Sequence, residues 1–232
     1  MAKHITDAMS DLVNNINVFA DYCGFPARRI FDDLFALLYN HICTGKKEYE
    51  HLYPAVSYDP RTAQPVDGYR DADRDELVRL FVMLTAELDN AAPFEDVVTD
   101  KYGALLQGDL GQFMTPTALS NAVSGFLGAA GERGNKRGEP TCGTGALVMG
   151  DLRQTYEVGG KDAVSHVDYS INDLDQRLVR IATVQVMYHS IRHEVPLKRL
   201  VVHNADLIKN YGSSPPFFVA TSWRGVLPGQ VI

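Results

Sequence analysis

Long apolar runs are missing from this chain. No stretch approaches the roughly 20 consecutive apolar residues of a membrane-spanning helix. The first residues, with His4, Asp7 and Asp11 among them, do not read as a secretion signal. Both absences lead to the expectation of a soluble, cytoplasmic protein with no membrane partner. Cysteine is scarce as well. Cys23, Cys43 and Cys142 are three in number and show no metal-type pairing, which predicts reduced thiols rather than a disulfide framework and argues against a zinc site. Positive charge is short: 22 Lys and Arg against 29 Asp and Glu leave a net charge of −7, the wrong sign for a broad phosphate-gripping face. Nucleic acid would have to meet a local patch or a partner. The sparse clusters Arg133, Lys136, Arg137 and Arg192, Lys198, Arg199 each read as ordinary solvated surface. Internal repeats and low-complexity tracts are absent too.

What is present is enough for one core and a small accessory domain: 232 residues, 45% of them hydrophobic. The first part reads as helical. Asp11 to Tyr22 places Leu12, Ile16, Phe19 and Tyr22 on one face. Pro26 opens a second helix carrying Ile30, Phe31, Leu34, Leu38 and Ile42, and Gly45 stops it. Pro54 to Asp73 reads as a long connection, followed by a third helix through Leu77, Leu80, Phe81, Leu84 and Leu88 and a fourth from Phe94 to Leu106. A boundary near Gln107 to Gly111 divides the chain into a helical domain over residues 1–107 and a second domain over 108–232.

The second part alternates helix and strand. A helix capped by Thr115 or Thr117 runs through Leu119, Val123 and Leu127, and another covers Ala146 to Tyr156. Val164 to Ile171 reads as a strand, Gln176 to Ser190 as a helix, and Leu200 to Val202 and Phe217 to Thr221 as further strands. Such alternation predicts an α/β fold with a parallel sheet whose ligands sit outside the carboxyl ends of the strands.

Two motifs carry chemistry. Gly111 to Pro116 read Gly-Gln-Phe-Met-Thr-Pro, and Glu139 to Gly145 read Glu-Pro-Thr-Cys-Gly-Thr-Gly. The second predicts a tight turn just ahead of a helix N-terminus, where missing side chains let a small anionic or zwitterionic ligand approach the main chain. Glu139 adds a carboxylate for a cationic or hydroxyl-rich end. S-adenosylmethionine fits that description. Asp173 and Leu174, directly after the Val164 to Ile171 strand, are placed to accept from ribose hydroxyls and to pack on an adenine ring, with Asp175 the second choice. Asp206 and Leu207 follow the next strand, and a carboxylate there can accept from the adenine amino group. Each of these aspartates also reads as a simple helix N-cap. His189 and His193 stand four apart on one helix but have no third ligand, so they read as helix surface. Cys142 reads as a small packing residue.

The order of these pieces resembles the N6-adenine DNA methyltransferases, most closely the modification subunit of type I restriction-modification systems, with Met114 in the position of a Tyr and Glu139 in that of an Asp. The resemblance covers roughly Phe94 to Ile232. It implies a Rossmann-like S-adenosylmethionine-dependent methyltransferase sheet behind a helical N-terminal domain, with S-adenosylmethionine as cofactor. It further implies DNA as partner, reached through a specificity subunit, and methyl transfer to a flipped adenine. Phe113 and Thr115 would line the methionine end; Glu139, Pro140, Cys142, Gly143, Thr144 and Gly145 form the turn; Asp173 holds the ribose and Asp206 the adenine. Family members free the amino lone pair with a short Pro-Pro-aromatic loop. Ser214, Pro215, Pro216 and Phe217 have those letters but stand before the last strand instead of after it, where Ser222 and Trp223 are the alternative. The family pattern also expects a central strand, buried on both faces, before Glu139, yet Gly131 to Gly138 contain no apolar residue. The chain ends shortly after Trp223, which reads as a truncated cofactor-binding module. The rival expectation is a catalytically degenerate binding protein that acts on restriction-modification or methylation machinery.

Overall fold

The structure is a computed structural model that describes residues 2–106, 114–127, 135–209 and 215–226. Its elements in chain order are α1 (Ala2–Cys23), α2 (Ala27–Thr44), β1 (Ala55–Tyr58), α3 (Asp71–Asn90), α4 (Thr99–Leu105), α5 (Thr117–Leu127), β2 (Lys136–Glu139), α6 (Ala146–Val164), β3 (Asp168–Asn172), α7 (Gln176–Arg192), β4 (Arg199–His203) and β5 (Phe218–Thr221). No described helix is long and apolar enough to cross a membrane.

The helices form where apolar residues recur at helical spacing. In α2, Ile30, Phe31, Leu34, Phe35, Leu38 and Ile42 are buried; Pro26 stands at its N-cap and Gly45 at its C-cap. α2 lies along α7, and the buried faces of both join a core shared with the sheet, from Leu34 and Leu38 to Val184, Leu200 and Phe218. α5 lies along α6 through a seam of small residues. A Cβ on Gly150 would come within 2.6 Å of Ser120 Oγ and 2.9 Å of Ser124 Oγ.

The sheet runs β1-β5-β4-β3-β2. β2, β3 and β4 are parallel, joined by the crossover helices α6 and α7, while β5 is antiparallel to both β4 and β1. The expected parallel sheet is therefore a mixed one. Parallel neighbours need a crossover of a dozen or more residues, usually helical. Between His203 and Phe218 no helix occurs among the described residues, and the chain folds back beside β4.

Three other expectations change. The stretch from Pro54 to Asp73 holds a strand: Ala55–Tyr58 pairs with β5, Ala55 opposite Thr221 and Tyr58 opposite Phe218. The strand expected over Val164 to Ile171 is shorter: α6 continues to Val164, a turn follows, and pairing with β4 begins only at Asp168, opposite Arg199. The strand before Glu139 forms despite its polar composition, and among the described residues it pairs with β3 alone. An edge strand tolerates charge that a central one would not. Its Arg137 turns inward, with Nη1 2.6 Å from Asp151 Oδ2 and 2.8 Å from Thr155 Oγ, both on α6.

Candidate functional site

The carboxyl ends of β2, β3 and β4 lie at one edge of the sheet, with Glu139 in register with Ile171 and Asn172 with His203. The glycine turn grows from the first. Glu139 Oε1 accepts from the Thr141 N–H (3.0 Å) and from the Thr141 hydroxyl (3.3 Å). Gly143 and Gly145 take the left-handed φ values of +55° and +101°. At Gly145 this conformation coincides with close packing, since a Cβ there would come within 3.2 Å of Ala182 Cβ. Among the described residues nothing lies within 4 Å of a Cβ placed on Gly143. Most of the turn's N–H groups already have partners, two of them at the end of β3: Cys142 N–H donates to the Asn172 carbonyl (2.8 Å), Gly143 N–H to Asp173 Oδ2 (2.9 Å) and Gly145 N–H to the Cys142 carbonyl (2.8 Å). Among the described residues, what remains for a ligand is the side of Gly143 and the first-turn N–H groups of α6.

Asp173 sits at the centre of this arrangement. Its Oδ2 holds the Gly143 N–H and its Oδ1 accepts from the Asp175 N–H (2.9 Å), so one carboxylate ties the glycine turn to the start of α7. Asp175 is the N-cap of that helix, accepting from the Arg177 N–H (2.9 Å), and also lies 3.6 Å from Arg28 Nη2. Asp206 accepts from the N–H groups of Ile208 (3.0 Å) and Lys209 (3.2 Å) and pairs with the Lys209 ammonium at 3.3 Å. Leu174 and Leu207 are both solvent-exposed, at 71% and 42%.

Asn172 carries no charge to mark it in the sequence, but it shares with its acidic neighbours the position at the end of β3. Its Nδ2 donates to the Pro140 (3.0 Å) and Ala205 (3.2 Å) carbonyls, and its Oδ1 accepts from the Ala205 N–H (3.1 Å). It thereby joins the loops after all the parallel strands from β2 to β4. Thr99 and Gln185, also unnoticed in the sequence, reach Thr144: the two threonine hydroxyls are 2.7 Å apart, and Gln185 Nε2 donates to the Thr144 carbonyl (2.9 Å).

Of the first motif, Phe113 lies outside the described residues. Met114 Sδ is 3.9 Å from the Thr144 hydroxyl, so Met114 borders the turn from the α5 side, with Thr115 next to it in the chain. Cys142 is buried; burial, with the Asp173 and Glu139 carboxylates, pushes its thiol above the ordinary range, which keeps it protonated and unreactive as a nucleophile.

Pro215 and Pro216 are exposed at the same edge, while Ser214 lies outside the described residues. The reversal of β5 brings them there: Phe218 pairs with Val202 near the carboxyl end of β4. Phe217 is buried, its ring 5.2 Å from that of Tyr39 and its carbonyl accepting from the Asp59 N–H (3.2 Å) and the Tyr39 hydroxyl (3.4 Å). Ser222 and Trp223 follow Thr221, which pairs with Arg199 at the start of β4, so they stand at the opposite edge of the sheet from Asp173. Ser222 is buried, with its hydroxyl on the Lys198 carbonyl (3.2 Å), and Trp223 is exposed.

The histidine pair departs from the helix-surface expectation. His189 is fully buried, its Nδ1 accepting from the N–H of Phe94 at 3.1 Å. In the neutral ring the proton therefore sits on Nε2, and neither nitrogen has a lone pair free for a metal. Among the described residues no group of three metal-type side chains occurs. Burial, and next the charge of His193, lower the His189 pKa from 6.5 to about 4. Between those values the unfolded chain binds a proton that the folded one refuses, so stability is lost as pH drops from 6.5 toward 4, by on the order of 3 kcal/mol. Asp32 opposes it: burial raises its pKa from 3.8 to about 6, and its contribution is present below 3.8 and lost as pH rises toward 6. His189→Gln is expected to flatten the acid side of a plot of Tm against pH, and Asp32→Asn to steepen it, as read by thermal denaturation from pH 4 to pH 7.5.

No protein-family profile matches the chain, and no curated protein sequence does. Solved structures do. The methyltransferase subunit of a type I restriction-modification system from Streptococcus thermophilus superposes with a TM-score of 0.50 at 15% identity, over 93% of this chain and 61% of that one. The fold is shared. A chain from Listeria monocytogenes described as a class I S-adenosylmethionine-dependent methyltransferase gives 0.47 at 15% identity, over 90% and 57%. One from Vibrio vulnificus YJ016 described as a modification subunit of a type I restriction enzyme gives 0.34 at 14%, over 61% and 25%. The chain thus spans less than two thirds of each structure it resembles.

Proposed function

We propose that this chain binds S-adenosylmethionine at the carboxyl ends of β2, β3 and β4 and serves in DNA methylation at adenine N6, as part of a restriction-modification type of system in which a partner subunit supplies sequence recognition. One observation carries the reading: Glu139, Asp173 and Asp206 stand along one sheet edge, beside a glycine turn that no described residue covers at Gly143. Carboxylates there suit a ligand with an ammonium, a sulfonium and two ribose hydroxyls, and the N-terminus of α6 suits its carboxylate. Thr115 is assigned to the methionine end, as is Phe113 by the sequence motif alone; Glu139 to Gly145 are assigned to the turn beneath it, Asp173 and Leu174 to the ribose and one ring face, and Asp206 and Leu207 to the adenine. The bound cofactor supplies an electrophilic methyl group. This chain's residues orient it and exclude water, and Ser214, Pro215 and Pro216 are the groups offered to an extruded adenine.

A second reading, a cofactor-binding protein that acts by association with methylation or restriction machinery and transfers nothing, is favoured by Phe217. Its ring is packed on Tyr39, and β5 is three places from β2 in the sheet, roughly 14 Å at ordinary strand spacing. Calorimetric titration with S-adenosylmethionine, paired with transfer of a radiolabelled methyl group to DNA, separates the two. Heat with transfer supports the first and heat without transfer the second; no heat overturns both. Under the first reading, Pro216→Ala is expected to slow transfer by about tenfold with cofactor affinity unchanged, and Trp223→Ala, at the far edge, to alter neither.

A further inference from the structure

We infer that Gln185 is a positioning residue of the glycine turn, fixing the Thr144 peptide on which the turn's open face depends. For its ligand this role rests on the cofactor reading above. Thr144 lies between Gly143 and Gly145, both left-handed, so its flanking residues impose little steric resistance to rotation of the peptides on either side. Two bonds from different elements remove that freedom. Gln185 Nε2, on α7 beneath the turn, donates to the Thr144 carbonyl at 2.9 Å, and the Thr99 hydroxyl on α4 meets the Thr144 hydroxyl at 2.7 Å. With the carbonyl held on α7, the N–H of Gly145 across the same peptide points to the Cys142 carbonyl, 2.8 Å away. Gly145 itself rests on Ala182, a residue less than one helical turn before Gln185.

The amide is kept at a cost. Gln185 is fully buried, and its Oε1 has no hydrogen-bond partner among the described residues. A buried acceptor left without a partner destabilises a fold, and an apolar side chain of similar volume at this place would not carry that penalty. An amide that holds one carbonyl while leaving its own oxygen unmet serves the geometry of the turn more than the stability of the core.

Gln185→Met tests the role, with Val186→Ala, equally buried on the same helix, as the control. Two measurements are made on each protein: the S-adenosylmethionine Kd by calorimetry, and the alkylation rate of Cys142 without ligand, read by peptide mass spectrometry. Gln185→Met is expected to raise Kd by about tenfold or more and to speed Cys142 alkylation several-fold, with Tm within about 4 °C of the wild type. Val186→Ala is expected to lower Tm with Kd and alkylation each within about twofold of the wild type. Unchanged Kd and unchanged alkylation in Gln185→Met, or equal changes in Val186→Ala, would overturn the assignment. A wild-type protein that gives no heat with S-adenosylmethionine overturns the cofactor reading instead, and the Cys142 rates still decide for or against Gln185.

Discussion

Asp173→Ala is expected to raise the S-adenosylmethionine Kd by at least about 100-fold, close to 2.7 kcal/mol. The carboxylate has two tasks. It holds the N–H groups of Gly143 and Asp175, each at 2.9 Å, and hydrogen bonds to a charged acceptor contribute roughly 1.5–3 kcal/mol apiece. Without them the turn and the start of α7 lose their common anchor, and a ligand must then order the turn as it binds. The remaining lone pairs of the same carboxylate are those assigned to the ribose. Asp173→Asn separates the tasks: its amide oxygen still accepts one N–H while its NH₂ faces the other, so an intermediate loss is expected. Calorimetry on both variants reads the order wild type, Asn, Ala. An alanine variant with wild-type affinity would remove Asp173 from the site.

The largest loss of stability is expected at Asp151→Ala. Arg137 and Asp151 form an ion pair at 2.6 Å with side chains only 6% and 8% exposed, between β2 and α6. Arg137 Nε and Nη2 are buried without hydrogen-bond partners among the described residues, so Asp151 is the main compensation for the guanidinium charge. Breaking a buried pair by removing one partner costs about 3–5 kcal/mol. For a chain of this length that corresponds to a fall in Tm of roughly 6–20 °C. Replacing both, as Arg137→Met with Asp151→Leu, is expected to recover most of the loss, because no charge is then left buried. Circular-dichroism melts of the three variants test this, and a double variant less stable than Asp151→Ala would refute it. Since Arg137 lies two residues before Glu139, the single variant is also expected to weaken the glycine turn.

The same pair shows why a polar strand was hard to place. Lys136 to Glu139 carries no apolar signal, and a strand judged by burial on both faces would not be sought there. Its position at the edge, and a carboxylate on α6 to meet its inward arginine, make it tenable. β1 had the opposite problem. Ala55 to Tyr58 is a short segment between prolines, and only the antiparallel β5 beside it makes it a strand.

Local information was sufficient for the helices. Apolar spacing in α2, with Pro26 and Gly45 at its ends, and the glycines of the turn before α6 depend on residues close in the chain, where propensity and periodicity act directly. The placing of Asp173 and Asp206 after parallel strands followed from the same alternation. The direction of β5 did not, because it depends on how the chain returns from β4. With it went the location of Pro215 and Pro216, at the carboxylate edge, and of Trp223, at the other.

By itself, then, the amino-acid order determined an α/β chain with a glycine turn and acidic loops after its strands, since helix faces, turns and caps are settled by neighbours in the sequence. Only the tertiary structure decided that the sheet is mixed, that β2 lies at its edge, and that Asn172, Thr99 and Gln185 hold the turn. Those choices rest on contacts between residues far apart in the chain, where pairing partners and burial, and not local preference, select the arrangement of lowest free energy.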